Sequence, residues 1–380
     1  MALSANATVE RLLDTSIREY PVGAAVTIYQ GAIVGIDPAG YLKPFEPGDE
    51  FVGIAYEKFD NSAGAAAAVH PTTGASGCRV FVEGDFKYAL TSAALTDKLK
   101  PVYATADNAI ARTGHPDAYV GRVLHYDSSG YVMIRLREYG EKAPADGTCI
   151  DMDIDFAKLL LVDQDESVAS LNLVGTGLRT FAVGAGLTAS TTGLTVDDAT
   201  GELEMLIDND NEAQNLTLQT QQVLNITKGI TFEMTGRNKT AGGAATDDWD
   251  FGLAGIAATG VTATQHADMN ATTATLLAAL FHVDTNALSV FASSDDNTTV
   301  VAATDTTVDQ SLTVNAVFKI IIRVGGSCEF WINGVRMLST TTFGVGAAGL
   351  LSGIINLEKS TGTGVPEVRV RKLRVAGALA

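Results

Sequence analysis

The chain has 380 residues, enough for two or three domains with a sizeable core, and 46% of it is apolar, which excludes global disorder. Its formal charge of −18, from 26 basic and 44 acidic side chains, excludes wrapping of nucleic acid by phosphate neutralisation and docking on anionic lipid. No apolar run approaches the ~18 residues of a membrane span, no leader-like segment opens the sequence, and Cys78, Cys149 and Cys328 are too scattered for a disulfide framework or a metal motif.

Val9, Leu12, Leu13 and Ile17 fall at helical spacing, and Pro21 stops the pattern, which predicts an amphipathic arm over residues 1–21. Its apolar stripe docks either on its own domain or on a neighbour. In the second case Leu12, Leu13, Ile17, Arg18 and Tyr20 make the contact. Strands are predicted next at 25–36, 51–57, 79–82, 86–90, 119–126 and 131–137, several of them separated by glycine turns. Phe51-Val-Gly and Tyr119-Val-Gly echo each other as tight strand starts. Only 91–99 has helical character. Residues 22–140 therefore read as a small, all-β, barrel-like domain with one helix.

A change of composition over 141–170, with Lys142-Ala-Pro-Ala-Asp-Gly, marks a linker. Within it Asp151, Asp153 and Asp155 alternate with Met152 and Ile154, as on an acidic strand edge that resists aggregation. From 171 to 380 strands are predicted at 201–207, 215–218, 229–235, 251–256, 288–292, 311–314, 317–324, 328–332 and 353–357. Strands this numerous, with almost no helix, predict a two-sheet sandwich. Asn333-Gly334 inside Phe330–Met337 predicts a type I′ hairpin. The segment 271–280 carries helical propensity, but its neighbours favour a strand. Acidity concentrates in 151–310, with 5 basic against 23 acidic residues, whereas 311–380 carries 8 against 3. The run Glu367-Val-Arg-Val-Arg-Lys-Leu-Arg-Val alternates and then slips at Arg371-Lys372, which predicts a bulged, half-buried strand with a solvated basic face; a basic binding face is the alternative.

Motifs of chemistry are sparse. There is no nucleophile elbow, no His-Glu-X-X-His and no phosphate-cradling loop, and the pairs at Gly175 and Gly184 read as turns. His70, His115, His125, His266 and His282 are isolated, so any site using them has to be assembled in space. Asp208-Asn-Asp-Asn-Glu212 resembles half of a calcium loop but lacks its glycine and distal glutamate. Asp247, Asp248, Trp249 and Asp250 set carboxylates beside an aromatic, the pattern of a calcium-assisted glycan site; the bland reading is a solvated turn. The sequence thus predicts no enzyme, no cofactor and no catalytic residue.

Gly53-Ile-Ala-Tyr-Glu, Arg79-Val-Phe-Val-Glu-Gly-Asp-Phe-Lys-Tyr, Lys100-Pro-Val-Tyr-Ala-Thr, Val120-Gly-Arg-Val-Leu and Tyr131-Val-Met-Ile-Arg-Leu, in this order over 22–138, resemble the capsid decoration, or cement, proteins of tailed bacteriophages. The chain departs from that pattern at Lys98-Leu-Lys-Pro, where the family has a Gly-Asp-Pro turn. Gly229-Ile-Thr-Phe-Glu-Met, Phe251-Gly-Leu-Ala-Gly-Ile, Phe318-Lys-Ile-Ile-Ile-Arg, Phe330-Trp-Ile-Asn-Gly and the run from Val368 to Val375 resemble strands of the concanavalin/laminin-G-like jelly roll. The resemblance implies a virion protein assembled in the host cytoplasm that binds the outside of a phage head. It implies the major capsid protein as partner, a homotrimer, and an outward-facing sandwich. The alternative is an adhesin or fibre component whose sandwich binds host surface glycan.

Overall fold

The computed structural model describes residues 16–66, 77–127, 130–137, 143, 149–156, 172–173, 178–184, 193–197, 200–207, 214–220, 224–240, 247–255, 277–285, 287–359 and 365–379. The fold is all-β. The chain forms two compact units, Met1–Ile150 with Ala376–Ala378, and Asp151–Val375 with Leu379–Ala380. Among the described residues no helix is long and apolar enough to cross a membrane.

In the first unit two five-stranded antiparallel sheets share a core. One runs in the order Ile17–Tyr20, Cys78–Phe81, Glu50–Ala55, Ile33–Ile36 and Leu42–Pro44. The other runs Ala109–Ala111, Pro101–Ala106, Tyr119–Tyr126, Tyr131–Leu136 and Asp85–Ala89. Ile33, Phe51 and Ile54 meet Phe86, Tyr103, Tyr119 and Ile134 between the sheets. Val34 and Ala55, the next residues along, turn with Val80 of the neighbouring strand to a second cluster with Val22, Ile28, Leu42 and Phe59. Successive side chains point to opposite faces, so a sheet buried on both faces needs uninterrupted apolar runs such as Ala32-Ile33-Val34.

The echoed glycines have a common cause. A Cβ on Gly53 would lie 2.2 Å from the Phe81 carbonyl oxygen, and one on Gly121 would lie 1.9 Å from that of Arg135. At both places the neighbouring strand passes too close for any side chain.

Three local expectations for this unit are corrected. Ile17–Tyr20 is a strand, not helix, and pairs with Cys78–Phe81 in the register Ile17↔Phe81 to Tyr20↔Cys78. A β-branched and an aromatic residue beside an open sheet edge outweigh the weak helical spacing. Leu12 and Leu13 lie outside the described residues. The strand predicted over 25–36 is broken into Val26–Ile28 and Ile33–Ile36 by a turn with Gly31 at φ +80°. Of the helix predicted over 91–99 only a 3-10 turn, Leu95–Asp97, exists, because Ser92 and Leu99 take positive φ at either side.

The second unit is a two-sheet antiparallel sandwich of jelly-roll type. One sheet runs Gly193–Asp197, Glu202–Leu206, Glu367–Ala378, Ile230–Thr240, Ala316–Ile322, Ser327–Ile332 and Val335–Met337. The facing sheet runs Asn172–Leu173, Leu178–Gly184, Gln214–Thr220, Leu350–Lys359, Asp247–Ala254, Leu277–Asp284, Ser289–Asp296 and Val300–Asp309. Aromatic rings fill the space between them. Phe251 lies 4.8 Å from Phe318 and Phe281 lies 5.1 Å from Phe330, both edge to face. The hairpin at Asn333-Gly334 is as predicted, with φ of +50° and +77° and Ile332 paired to Val335.

Predicted strand 311–314 is instead a turn, in which Ser311 Oγ accepts from the backbone N–H groups of Thr313 and Val314. The predicted linker holds a strand, Cys149–Asp155, paired to Glu367–Ala378. That pairing also corrects the reading of both charged stripes. Arg374 Nε lies 2.7 Å from Asp151, Lys372 Nζ 3.1 Å from Asp153, and Arg371 Nε 3.7 Å from Asp155. The basic face is neither solvated alone nor open for binding, because its acidic counterpart lies beside it. The slip at Arg371-Lys372 falls just past Val370, where the Glu367–Ala378 strand ends its pairing with Glu202–Leu206.

Candidate functional site

Strand alternation decides what Trp249 and Asp250 can do. Trp249 points between the sheets, is fully buried, and lies 4.6 Å from Phe251 and 6.4 Å from Phe318. Its ring therefore offers no face to a sugar, which removes the aromatic from the glycan site read at Asp247, Asp248, Trp249 and Asp250. The side chains of Asp247 and Asp248 lie outside the described residues. Among the described residues no group of three or more His, Cys, Asp or Glu side chains could hold a metal ion. Asp208–Glu212 lies outside them too.

Asp250, one residue on, points to the opposite face of its sheet. There it stands directly across the ladder from His282, and Leu280, two residues before His282, stands across from Ser293. Three side chains from three adjacent strands thus meet. His282 Nδ1 is 2.6 Å from Asp250 Oδ1, and His282 Nε2 is 2.5 Å from Ser293 Oγ. All three are buried. An ionised carboxylate only accepts hydrogen bonds, so Nδ1 carries the imidazole proton and donates it to Asp250. Nε2 is then the acceptor for the Ser293 hydroxyl.

Next to this chain the sheet face is apolar, with Ala254, Ala278, Leu280 and Ile354 in one cluster. On the other side lies a polar pair, Thr217 Oγ1 within 2.7 Å of Asn356 Oδ1, and Asn356 is the ladder partner of Asp250. The sequence reading missed His282 and Ser293 because they are 32 and 43 residues from Asp250 and carry no local signature. The available signal was the alternation itself, which puts Asp250, His282 and Ser293 on one face once the strands are aligned.

The residues read as neighbour contacts sit apart from this site, in the first unit. Ile17–Tyr20 forms one edge of its sheet. Ile17 is 42% exposed and Arg18 exposed, while Tyr20 is half-buried against the cluster around Val22 and Phe59. Cys78 and Cys328 are free and buried, and burial pushes the Cys78 thiol up to about 12. Both act as small apolar residues of the core.

No family model and no curated protein matches the chain. Solved structures similar to it include the Emp47p carbohydrate recognition domain, at 9% identity over 62% of this chain and 100% of that one, with a TM-score of 0.41. A protein of unknown function from Shewanella oneidensis MR-1 is 8% identical over 61% of this chain and 87% of that one, with a TM-score of 0.39. The alginate lyase AlgAT5 of polysaccharide lyase family 7 is 11% identical over 51% and 88%, with a TM-score of 0.35. Nothing about ligand or activity follows from likeness at this level.

Proposed function

We propose that the chain is a structural protein of a tailed-bacteriophage virion that binds the outside of the head and stabilises the shell of major capsid protein, as a homotrimer, with its sandwich on the solvent side. The observation that carries this reading is the ordered set of strand motifs over 22–138, which resembles the decoration proteins and which folds as one unit with its own core. The mechanism is mechanical. Apolar area buried across a seam between capsid subunits binds the assembled shell and not its separated parts, so it raises the shell's resistance to heat and internal pressure.

Two features of the first unit suit that role. Ile17–Tyr20 is an edge strand anchored by Tyr20, and Ile17 on it is 42% exposed. Leu95 and Leu99, 78% and 61% exposed, add apolar surface on the 91–99 loop.

The test mixes full-length protein with heads stripped of it and follows co-sedimentation and the melting temperature of the shell. Binding that raises shell melting, and that Leu12→Asp with Ile17→Asp weakens at least tenfold, is expected. Protein that stays in the supernatant overturns the reading. If that same protein adheres to host cells, the glycan-binding adhesin replaces it.

A further inference from the structure

We propose that Ser293 is an activated nucleophile, with His282 as its general base and Asp250 as the group that orients and supports His282, and that it accepts the acyl group of a neutral, short-chain carboxylic ester. The inference concerns the sandwich alone and does not depend on attachment to a capsid.

The hydrogen-bond chain runs from carboxylate through imidazole to hydroxyl. Asp250 fixes the tautomer of His282 that leaves Nε2 free to accept, and the Ser293 hydroxyl is within 2.5 Å of that nitrogen. This is the relation that nucleophilic catalysis by serine requires: nucleophile to base, base to orienting carboxylate.

The backbone around Ser293 is irregular. Pairing between Ser289–Asp296 and the terminal strand of the sheet, Val300–Asp309, passes from Ala292↔Thr304 to Ser294↔Val301. Two steps along one strand thus oppose three along the other, and Ser293 lies inside the irregularity. A bulge interrupts the ladder and leaves backbone groups unpaired, which is how a mid-strand residue can gain N–H donors for a developing oxyanion. Ala302 and Ala303, the bulged residues opposite, are small and exposed on an edge strand, and Ser293 itself keeps 8% of its surface exposed. A second irregularity follows between Val290↔Val308 and Phe291↔Asp305, where Thr307 takes φ +63°, a strained conformation for a β-branched residue. Strain and bulges concentrate beside this one serine.

The surroundings select the substrate class. Leu280, the ladder partner of Ser293, belongs with Ala254, Ala278 and Ile354 to a buried apolar cluster on this face, where burying a charge is costly, which favours a small, neutral acyl group. Asp295 and Asp305 stand on the flanking ladder positions, in the acidic segment 151–310, and disfavour an anionic ester.

In the reaction Ser293 Oγ forms a bond to the ester carbonyl carbon while its proton passes to His282 Nε2. Collapse breaks the bond to the alcohol oxygen, and the alcohol leaves with the proton from His282. Water then attacks the acyl-serine, again giving a proton to His282. Release of the carboxylic acid returns that proton to Ser293.

The experiment uses the full-length protein and a fluorophosphonate probe, which phosphonylates activated serines with loss of fluoride, read by peptide mass spectrometry. A single adduct at Ser293 is expected, absent in Ser293→Ala and unchanged in Ser294→Ala. His282→Gln should slow labelling by about 10²-fold or more, the contribution typical of a general base. p-Nitrophenyl butyrate should be cleaved by the wild type and not by Ser293→Ala. Should the His282 variant fail to fold, the wild-type labelling rate against pH decides: a plateau supports the base, and a steady tenfold rise per pH unit overturns it. Natively folded wild type that gives no adduct at Ser293, or labelling insensitive to His282→Gln, also overturns the proposal.

Discussion

Asp97 shows how much one side chain can organise. Its carboxylate accepts from the backbone N–H of Ala94 at 2.8 Å, from Arg112 Nε at 2.9 Å and Nη2 at 2.6 Å, and from Lys100 at 3.3 Å. Arg112 also donates to the carbonyls of Thr91 and Ser92, so one bidentate pair closes the 91–99 loop. The Arg112 guanidinium holds the Asp97 carboxyl well below the usual carboxylate range. A depressed folded-state value means that the stabilisation is present above the unfolded carboxyl value of about 4 and is lost as pH falls below it. Asp97→Asn should therefore cost about 2 kcal/mol at pH 7, the scale of a charged hydrogen bond. The difference between wild type and variant should shrink as pH falls below about 4. Urea midpoints at pH 7 and at pH 3 check this, and an equal difference at both values removes the ion pair as the cause. Sequence alone did not show this pair, since a loop stapled by side chains has no period. Asn333-Gly334 was legible because the type I′ turn depends on two adjacent residues and nothing distant.

At the scale of the element, the two charged stripes of the sandwich were legible one at a time. Alternation shows Asp151, Asp153 and Asp155 on one face of a strand, and basic residues along 369–374 on another. That they belong together is not written locally, because more than 200 residues separate them. The same limit hid Asp250, His282 and Ser293, whose meeting depends on the register of three strands. The acidic and basic stripes make a graded prediction. Arg374 and Asp151 are 16% and 18% exposed, whereas Lys372 and Asp153 are 40% and 28% exposed. Asp151→Arg should destabilise the sandwich by about 1 kcal/mol through like charges across the ladder, and Asp151→Arg with Arg374→Asp should recover most of it. Asp153→Lys should cost less and fade in 1 M salt, as an exposed pair is screened. Thermal melts of the four proteins at low and high salt measure the order, and an unrecovered swap would show that the pairing is incidental to stability.

At the scale of the whole molecule, the two units are not consecutive in sequence. Asp151–Val375 and Leu379–Ala380 belong to the second unit, whereas Ala376–Ala378 belong to the first. Within that unit His115 is the link. It is 1% exposed, and its Nδ1 accepts from the backbone N–H of Asp117 at 3.1 Å, so Nε2 carries the proton. That proton points to the Ala376 carbonyl oxygen 3.0 Å away. Composition placed the boundary near 141–170 and could not show the return of the chain, since Ala376-Gly-Ala-Leu-Ala carries no motif. A chain ending at Val375 removes the acceptor and leaves a buried N–H donor, which costs about 1–3 kcal/mol. The truncated protein should therefore lose stability in its first unit, read by hydrogen exchange at the amides of Tyr103, Tyr119 and Ile134 in that unit's core. His115→Phe, which removes the donor together with its need for a partner, should make the same truncation nearly silent. If truncation leaves those amides unchanged in the wild-type background, the last residues only complete the sandwich strand, and the first unit stands without them.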